Sequence, residues 1–174
     1  MATAAERDQL YRAIAEVPDP EVPVLTIEDL GVLRSIEEID GRIVVTITPT
    51  YSGCPAMQYM SEQVAEVLEQ AGVAGEVRTV LSPAWTTDWM SQSGRDKLRA
   101  YGIAPPHPAD SAEVATAGLV SHRAGTAVSI SRAVRCPRCD SAHTATVSQF
   151  GSTACKALYR CLDCLEPFDY FKGL

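Results

Sequence analysis

The sequence predicts an α+β protein in two parts. The first is a small α-β-β-α-β-α domain with helices on a three-stranded mixed sheet, and the second is a short β module. Three observations predict this. Residues 32–39 and 42–48 read as two strands joined at Asp40-Gly41, a dipeptide suited to a tight hairpin. Met60, Val64, Val67, Leu68 and Ala71 then recur at helical spacing, and Gly72 closes the run. Near the end of the chain, Cys136-Pro137-Arg138-Cys139 and Cys161-Leu162-Asp163-Cys164 set two thiols on each of two tight turns. The expected division is a first domain at 1–103, a linker at 104–131 and a β module at 132–174.

Each element has its own signal. Thr3 with Glu6 fits a capping box, and Leu10, Ile14 and Val17 continue it as a helix that Pro18 stops. Asp19-Pro20-Glu21-Val22-Pro23-Val24-Leu25 is too rich in proline for a helix interior or a central strand, so it reads as an ordered loop. Thr26 to Gly31 reads as one helical turn closed by its glycine. In the second strand Ile43, Val45 and Ile47 share an apolar face. A third strand is expected at 76–81 through Val77, Thr79 and Leu81. This order suits helices packed on one face of a small sheet.

Ser82 to Met90 holds both tryptophans, Trp85 and Trp89, which read as core packing, with a ligand surface near the Cys54 loop as the alternative because they follow the third strand. Ser93 with Asp96 is a cap signal for a helix through Leu98 and Tyr101, stopped by Gly102. From Ala104 to about Ser131 the composition shifts to Ala, Ser, Pro and Gly, as in a linker, with a strand at Ala127-Val128-Ser129-Ile130. His107 and His122 stand singly there and are expected in solvent.

Composition sets the outer limits. The chain has 174 residues, 46% of them hydrophobic, which is enough for a real core. A net charge of −7 disfavours specific nucleic-acid binding, which needs clustered Lys and Arg. No apolar run approaches the roughly 18 residues of a membrane span, so no membrane association is expected. Met1 to Leu10 carries Glu6, Arg7 and Asp8 and lacks an apolar secretory core, so a cytoplasmic protein is expected. Six cysteines in that setting point to metal or redox chemistry rather than a disulfide framework.

Two stretches carry that chemistry. In Thr48-Pro49-Thr50-Tyr51-Ser52-Gly53-Cys54-Pro55, the proline suits the first position of a helix and Cys54 its N-cap. A thiol there faces free backbone N–H groups and the positive end of the helix dipole, which favours the thiolate. The alternative is a small residue filling a strand–helix junction. The two C-x2-C pairs match the zinc-ribbon pattern, in which four thiolates complete a tetrahedral, structural zinc site. His143 is a substitute ligand of little weight beside four cysteines. Cys155 is surplus to that site, either a buried filler or a second reactive thiol. Lys156 would favour its thiolate only if the two side chains converged, which neighbours on a strand do not.

Asp19-Pro20-Glu21, Thr48-Pro49-Thr50 and Gly53-Cys54-Pro55 together resemble the small iron–sulfur assembly domain of the SufT-like proteins and their cytosolic eukaryotic relatives. Ser82 to Pro106, Phe150-Gly151-Ser152-Thr153 and the two C-x2-C pairs narrow the resemblance to the PaaD family, the D component of bacterial phenylacetyl-CoA epoxidase systems. It covers nearly the whole chain outside the linker. The resemblance implies an accessory role in aerobic phenylacetate degradation, assisting iron–sulfur or metal-centre assembly in partner subunits. It implies zinc on Cys136, Cys139, Cys161 and Cys164, and transient contact of iron or a cluster with Cys54. Thr48 and Thr50 would shape the Cys54 loop, and Asp19 and Glu21 would form its opposite wall. The long loop bearing Tyr51 departs from the family pattern.

The implied partners are the oxygenase and reductase subunits. The chain has neither a Glu-x-x-His pair for di-iron nor a G-x-G-x-x-G motif, so no catalytic activity of its own is expected. One cysteine cannot hold a cluster that takes four protein ligands, so a second subunit or a client would supply the others, and self-association stays open. A second reading is a zinc ribbon that docks a protein or nucleic acid through Arg132, Arg135 and Arg138, without assembly activity. A third, a thiol enzyme using Cys54, ranks last because all three histidines lie beyond residue 106.

Overall fold

The computed structural model describes residues 4–107 and 133–172. Thr3 of the expected capping box, His122 and the expected strand at 127–130 lie outside the described residues. The chain begins with α1 (Ala4–Ala15), β1 (Leu33–Ile39), β2 (Arg42–Ile47), α2 (Ala56–Gln70) and β3 (Gly75–Thr79). A short 3-10 turn at Thr87–Trp89 leads into α3 (Gln92–Tyr101) and β4 (Ile103–Ala104). The last strands are β5 (Thr144–Ser148), β6 (Lys156–Cys161) and β7 (Pro167–Phe171).

The first sheet has the order β1-β2-β3 and is mixed: β2 pairs antiparallel with β1 and parallel with β3. The hairpin turns where expected, with Asp40 at φ 52° and Gly41 at φ 76°, the left-handed pair that such a turn demands. α2 buries Ala56, Met60, Val64 and Leu68 toward β3, and α1 packs on α2. Gly75 allows that approach: a Cβ there would stand 2.7 Å from the Ile43 carbonyl oxygen and 3.0 Å from Leu68. Ile14, Leu25, Ile27, Leu30, Val45, Ile47 and Leu98 are fully buried in the same core. Each such aliphatic side chain contributes about 1.5–3 kcal/mol on leaving water.

Thr26 to Gly31 is a hydrogen-bonded turn. The Leu30 N–H reaches the Thr26 carbonyl, and Thr26 and Asp29 cap each other through their side chains. Gly31 takes φ 68°, and a Cβ there would lie 2.3 Å from the Trp89 carbonyl oxygen, so both conformation and space require glycine. α3 docks on the same turn. Its cap is Ser91 rather than the expected Ser93: Ser91 Oγ accepts the Gly94 N–H at 2.8 Å and donates to Asp29. Long-range contact with Asp29 selected between two serines that look alike in sequence.

The second sheet has the order β4-β7-β6-β5. β5 and β6 form the hairpin expected around Gly151, and β6 pairs antiparallel with β7. β4 runs parallel to β7, so residues just after α3 complete the sheet of the C-terminal part. The expected boundary at 103/104 thus falls within this strand. His107, expected in solvent, is half-buried with Nε2 3.1 Å from the Ala133 carbonyl oxygen. Phe171 and Cys155 reach the main core, where Trp85 meets Phe171 edge to face. Trp85 also donates to the Leu30 carbonyl at 2.8 Å, so it is a core residue, as expected. Among the described residues, no helix is long and apolar enough to cross a membrane.

Candidate functional site

Among the described residues two clusters of chemistry-bearing side chains stand out, one within the C-terminal module and one around Cys54 that draws on both parts of the chain. The first is the ribbon set. The turn at Cys136–Cys139 and the turn at Cys161–Cys164 face each other, and their four sulfurs all lie within 4.8 Å of one another. Cys136 Sγ is 3.7 Å from Cys164 Sγ, and Cys139 Sγ is 3.6 Å from Cys161 Sγ. Four sulfurs held tetrahedrally about 2.3 Å from one zinc ion would stand about 3.8 Å apart, so the donor set fits that ion. The Cys164 N–H points at Cys161 Sγ, and chiefly through it the Cys161 thiol is brought down to about 7. Cys136 and Cys161 are buried, while Cys139 and Cys164 are exposed. His143 is not in the set: its Nδ1 lies 3.1 Å from Asp163.

The second cluster surrounds Cys54. Pro55 is already helical, at φ −68° and ψ −22°, and holds the cap position expected of Cys54, with Ala56 the first residue of α2. Cys54 stands one residue earlier and is half-buried; its carbonyl accepts the Met57 N–H at 3.3 Å. The N–H groups of Ala56 and Met57 do favour the Cys54 thiolate, as the helix position implied. They do not decide the outcome. Burial, with the Glu21 and Asp19 carboxylates, pushes the thiol above its ordinary value of 9.0. The expectation of an unusually acidic thiol is therefore corrected, because desolvation and like charge outweigh a helix end.

The proline-rich loop brings the charges of Asp19 and Glu21 within electrostatic reach of Cys54. Asp19 is buried, and its Oδ1 accepts the N–H of Glu21 at 2.6 Å and of Val22 at 2.9 Å. Burial raises its pKa in spite of these bonds. Glu21 is half-buried, and its carboxylate lies 3.5 Å from the thiol of Cys155. The Tyr51 ring folds back over Gly53, and burial, with the nearby charges of Cys54, Glu21 and Cys155, raises the pKa of its hydroxyl. Thr48 is buried in the loop leading to Cys54: its N–H reaches the Val32 carbonyl at 2.8 Å, while its hydroxyl has no partner among the described residues. Thr50 is half-buried in that loop.

Cys155 is the residue whose place the sequence least foretold. It sits in the turn before β6, 5% exposed, with its sulfur 3.0 Å from Thr153 Oγ1. Burial is the main cause that lifts its thiol to about 11. Lys156, also buried, places Nζ 3.4 Å from the Glu21 carbonyl and favours the Cys155 thiolate. Both side chains thus converge on Glu21, contrary to the strand-alternation expectation, because Cys155 precedes the strand and alternation does not reach it. The structure gathers Asp19, Glu21, Tyr51, Cys54, Cys155 and Lys156, and only the first four come from the domain that sequence assigned to the site. Tyr51 and Lys156 carried no motif of their own.

Known proteins match both parts. Residues 7–82 match the family described as "Iron-sulfur cluster assembly protein", and residues 121–172 match "PaaD zinc beta ribbon domain". A protein of Escherichia coli (strain K12), named provisionally as the D component of 1,2-phenylacetyl-CoA epoxidase, is 46% identical over 165 residues, 94% of this chain and 91% of its own length. The chain belongs to the PaaD family of phenylacetyl-CoA epoxidase components. A Fe-S protein maturation auxiliary factor of Porphyromonas gingivalis (strain ATCC BAA-308 / W83) is 34% identical over 94 residues, 52% of this chain and 89% of that protein. A crystal structure titled as a domain of unknown function, DUF59, from Bacillus anthracis is 28% identical with a TM-score of 0.49, covering 54% of this chain and 92% of that one. The E. coli relative spans both clusters, whereas the maturation factor covers about half of this chain.

Proposed function

We propose that this chain is a cytoplasmic accessory factor of a multicomponent phenylacetyl-CoA epoxidase, without catalytic activity of its own. It assists iron–sulfur or metal-centre assembly in the oxygenase or reductase subunits, with Cys54 as the group that touches the iron cargo. The observation that carries this reading is the setting of Cys54: a half-buried thiol at the head of α2, under Tyr51 and within electrostatic reach of Asp19 and Glu21. The match of residues 7–82 to an iron–sulfur assembly family and the provisional name of the E. coli relative support the role and the system. Cys136, Cys139, Cys161 and Cys164 would hold a structural zinc ion, which supplies cross-linking to a module with little core of its own.

The test is to produce the epoxidase subunits with this chain or with its Cys54→Ala variant, and to measure iron per partner subunit and turnover. The expected result is a variant that keeps its fold and ribbon metal while its partners carry less iron. Partners with full iron would overturn the role of Cys54. They would favour the second reading, a ribbon that docks a protein or nucleic acid without assembly activity, to which the exposed Val147, Phe150 and Leu165 lend support.

A further inference from the structure

His143 lies outside the ribbon ligand set, yet it is bonded to the set's own framework. Asp163 stands inside the second C-x2-C turn, and its carboxylate reaches the chain that leaves the first turn. Ser141 Oγ donates to Asp163 Oδ2, and His143 Nδ1 lies 3.1 Å from Asp163 Oδ1. The direction of the serine bond is set, because Ser141 Oγ also accepts the His143 N–H at 2.9 Å and keeps its proton for the carboxylate. The His143 carbonyl accepts the Leu162 N–H at 2.8 Å, so backbone and side chains join the same two segments. Ser141 is in turn tied to the first turn, its carbonyl accepting the Cys136 N–H at 2.9 Å.

These bonds sit where the two turns meet. Ser141 comes shortly after Cys139 and Asp163 shortly after Cys161, and the sulfurs of those two cysteines are 3.6 Å apart. Fold stability is a poor account of the arrangement. The His143 and Asp163 side chains are both exposed, and an exposed ion pair stabilises a fold little on its own. A carboxylate beside four thiolates also adds like charge. What Asp163 supplies is geometry: one planar group with two acceptor oxygens bonds two residues of the facing segment at once.

We propose that Asp163, with Ser141 and His143, is a positioning clamp of the metal centre: it holds the two cysteine turns at the spacing one ion needs and slows the ion's release. This rests on the reading of Cys136, Cys139, Cys161 and Cys164 as a zinc site and names the residues that hold that site together. Cys139 and Cys161 lie 22 positions apart in the chain, so nothing local keeps their turns face to face. When the sulfurs of one turn let go, bonds between the turns keep them facing the other two, and they rebind at little cost in chain freedom. The ribbon ion is by this account a resident of its module, unlike cargo that must leave.

The test follows zinc transfer from the full-length, zinc-loaded protein to an excess of a chromophoric chelator. Asp163→Ala and Ser141→Ala should each release zinc on the order of tenfold faster than wild type. The double variant should be about as fast as Asp163→Ala alone, because both changes break the same bond. Ser141→Thr, which keeps the hydroxyl, should release zinc close to the wild-type rate. Loaded with Co2+ in place of zinc, every variant should keep the wild-type thiolate charge-transfer and tetrahedral bands, since all four sulfurs remain ligands; unfolding of the module would abolish them. If an alanine variant loses those bands, Asp163→Asn, close in shape and able to accept one bond, replaces it and should release zinc faster than wild type by a smaller factor. Wild-type release by the variants that keep the bands, increases that multiply in the double variant, or Ser141→Thr as fast as Ser141→Ala would overturn the clamp and leave the four-cysteine site standing. A wild type that binds no metal, or whose Co2+ form lacks the thiolate bands, would overturn both.

Discussion

Trp85 meets Phe171 edge to face, with ring centroids 6.4 Å apart and planes at 69°. One ring follows the first sheet and the other ends the last strand of the second, so this pair joins the two parts of the chain through their cores. Phe171→Ala should therefore cost about 3–5 kcal/mol and lower the melting temperature of the whole chain. Calorimetry should show one transition moving down. Two transitions, with only one shifted, would mean that the parts fold independently.

Ribbon metal supplies a second expected dependence. Cys139→Ser removes one of four donors from an arrangement that a single ion would close. Elemental analysis should give one zinc per chain in the wild type and a small fraction of that in the variant. Because β4 and Phe171 tie the ribbon to the rest, chelation should also loosen Trp85, which its fluorescence can report. Unchanged fluorescence on complete metal removal would contradict this coupling.

Thiol reactivity follows from the raised pKa values. Only the thiolate alkylates, and burial with the Glu21 and Asp19 carboxylates lifts Cys54 above 9.0, against the pull of the Ala56 and Met57 N–H groups. In the metal-free pocket Cys54 should react with iodoacetamide more slowly than free cysteine at pH 7.5, and its rate should climb as pH passes 9. Cys155, near 11, should react later still. Glu21→Gln removes one like charge and should speed Cys54. Fast alkylation of wild-type Cys54 at neutral pH would restore the helix-dipole account.

Asp29 ties the proline-rich loop region to α3. Burial would raise its pKa, but Lys97, the Thr26 N–H and Ser91 together leave it below 3.8. A carboxyl depressed on folding adds stability above its unfolded value, and that stability is lost as pH falls through the folded value. Unfolding free energy should thus decline below about pH 4. Asp29→Ala, which removes the carboxylate that accepts from the Thr26 N–H and the Ser91 hydroxyl and pairs with Lys97, should be less stable at pH 7 by about 2 kcal/mol and should show a shallower acid decline. Identical acid profiles would remove Asp29 from this role.

Much of the framework is determined by sequence alone, because its signals are local. Asp40-Gly41 sets the hairpin through backbone conformation, the apolar spacing from Met60 to Leu68 sets α2, and each C-x2-C spacing brings two sulfurs onto one turn. Family resemblance, carried by short motifs, likewise singled out Asp19, Glu21 and Cys54. Only the tertiary structure decided that Ser91 rather than Ser93 caps α3, that Ile103–Ala104 completes the second sheet, and that Cys155 reaches Glu21. These are contacts between residues far apart in the chain, and no local period encodes them. It also decided the direction in which Cys54 titrates. A helix end can be read from Pro55 and the residues that follow, but desolvation depends on everything packed around the sulfur, and here it outweighs the helix.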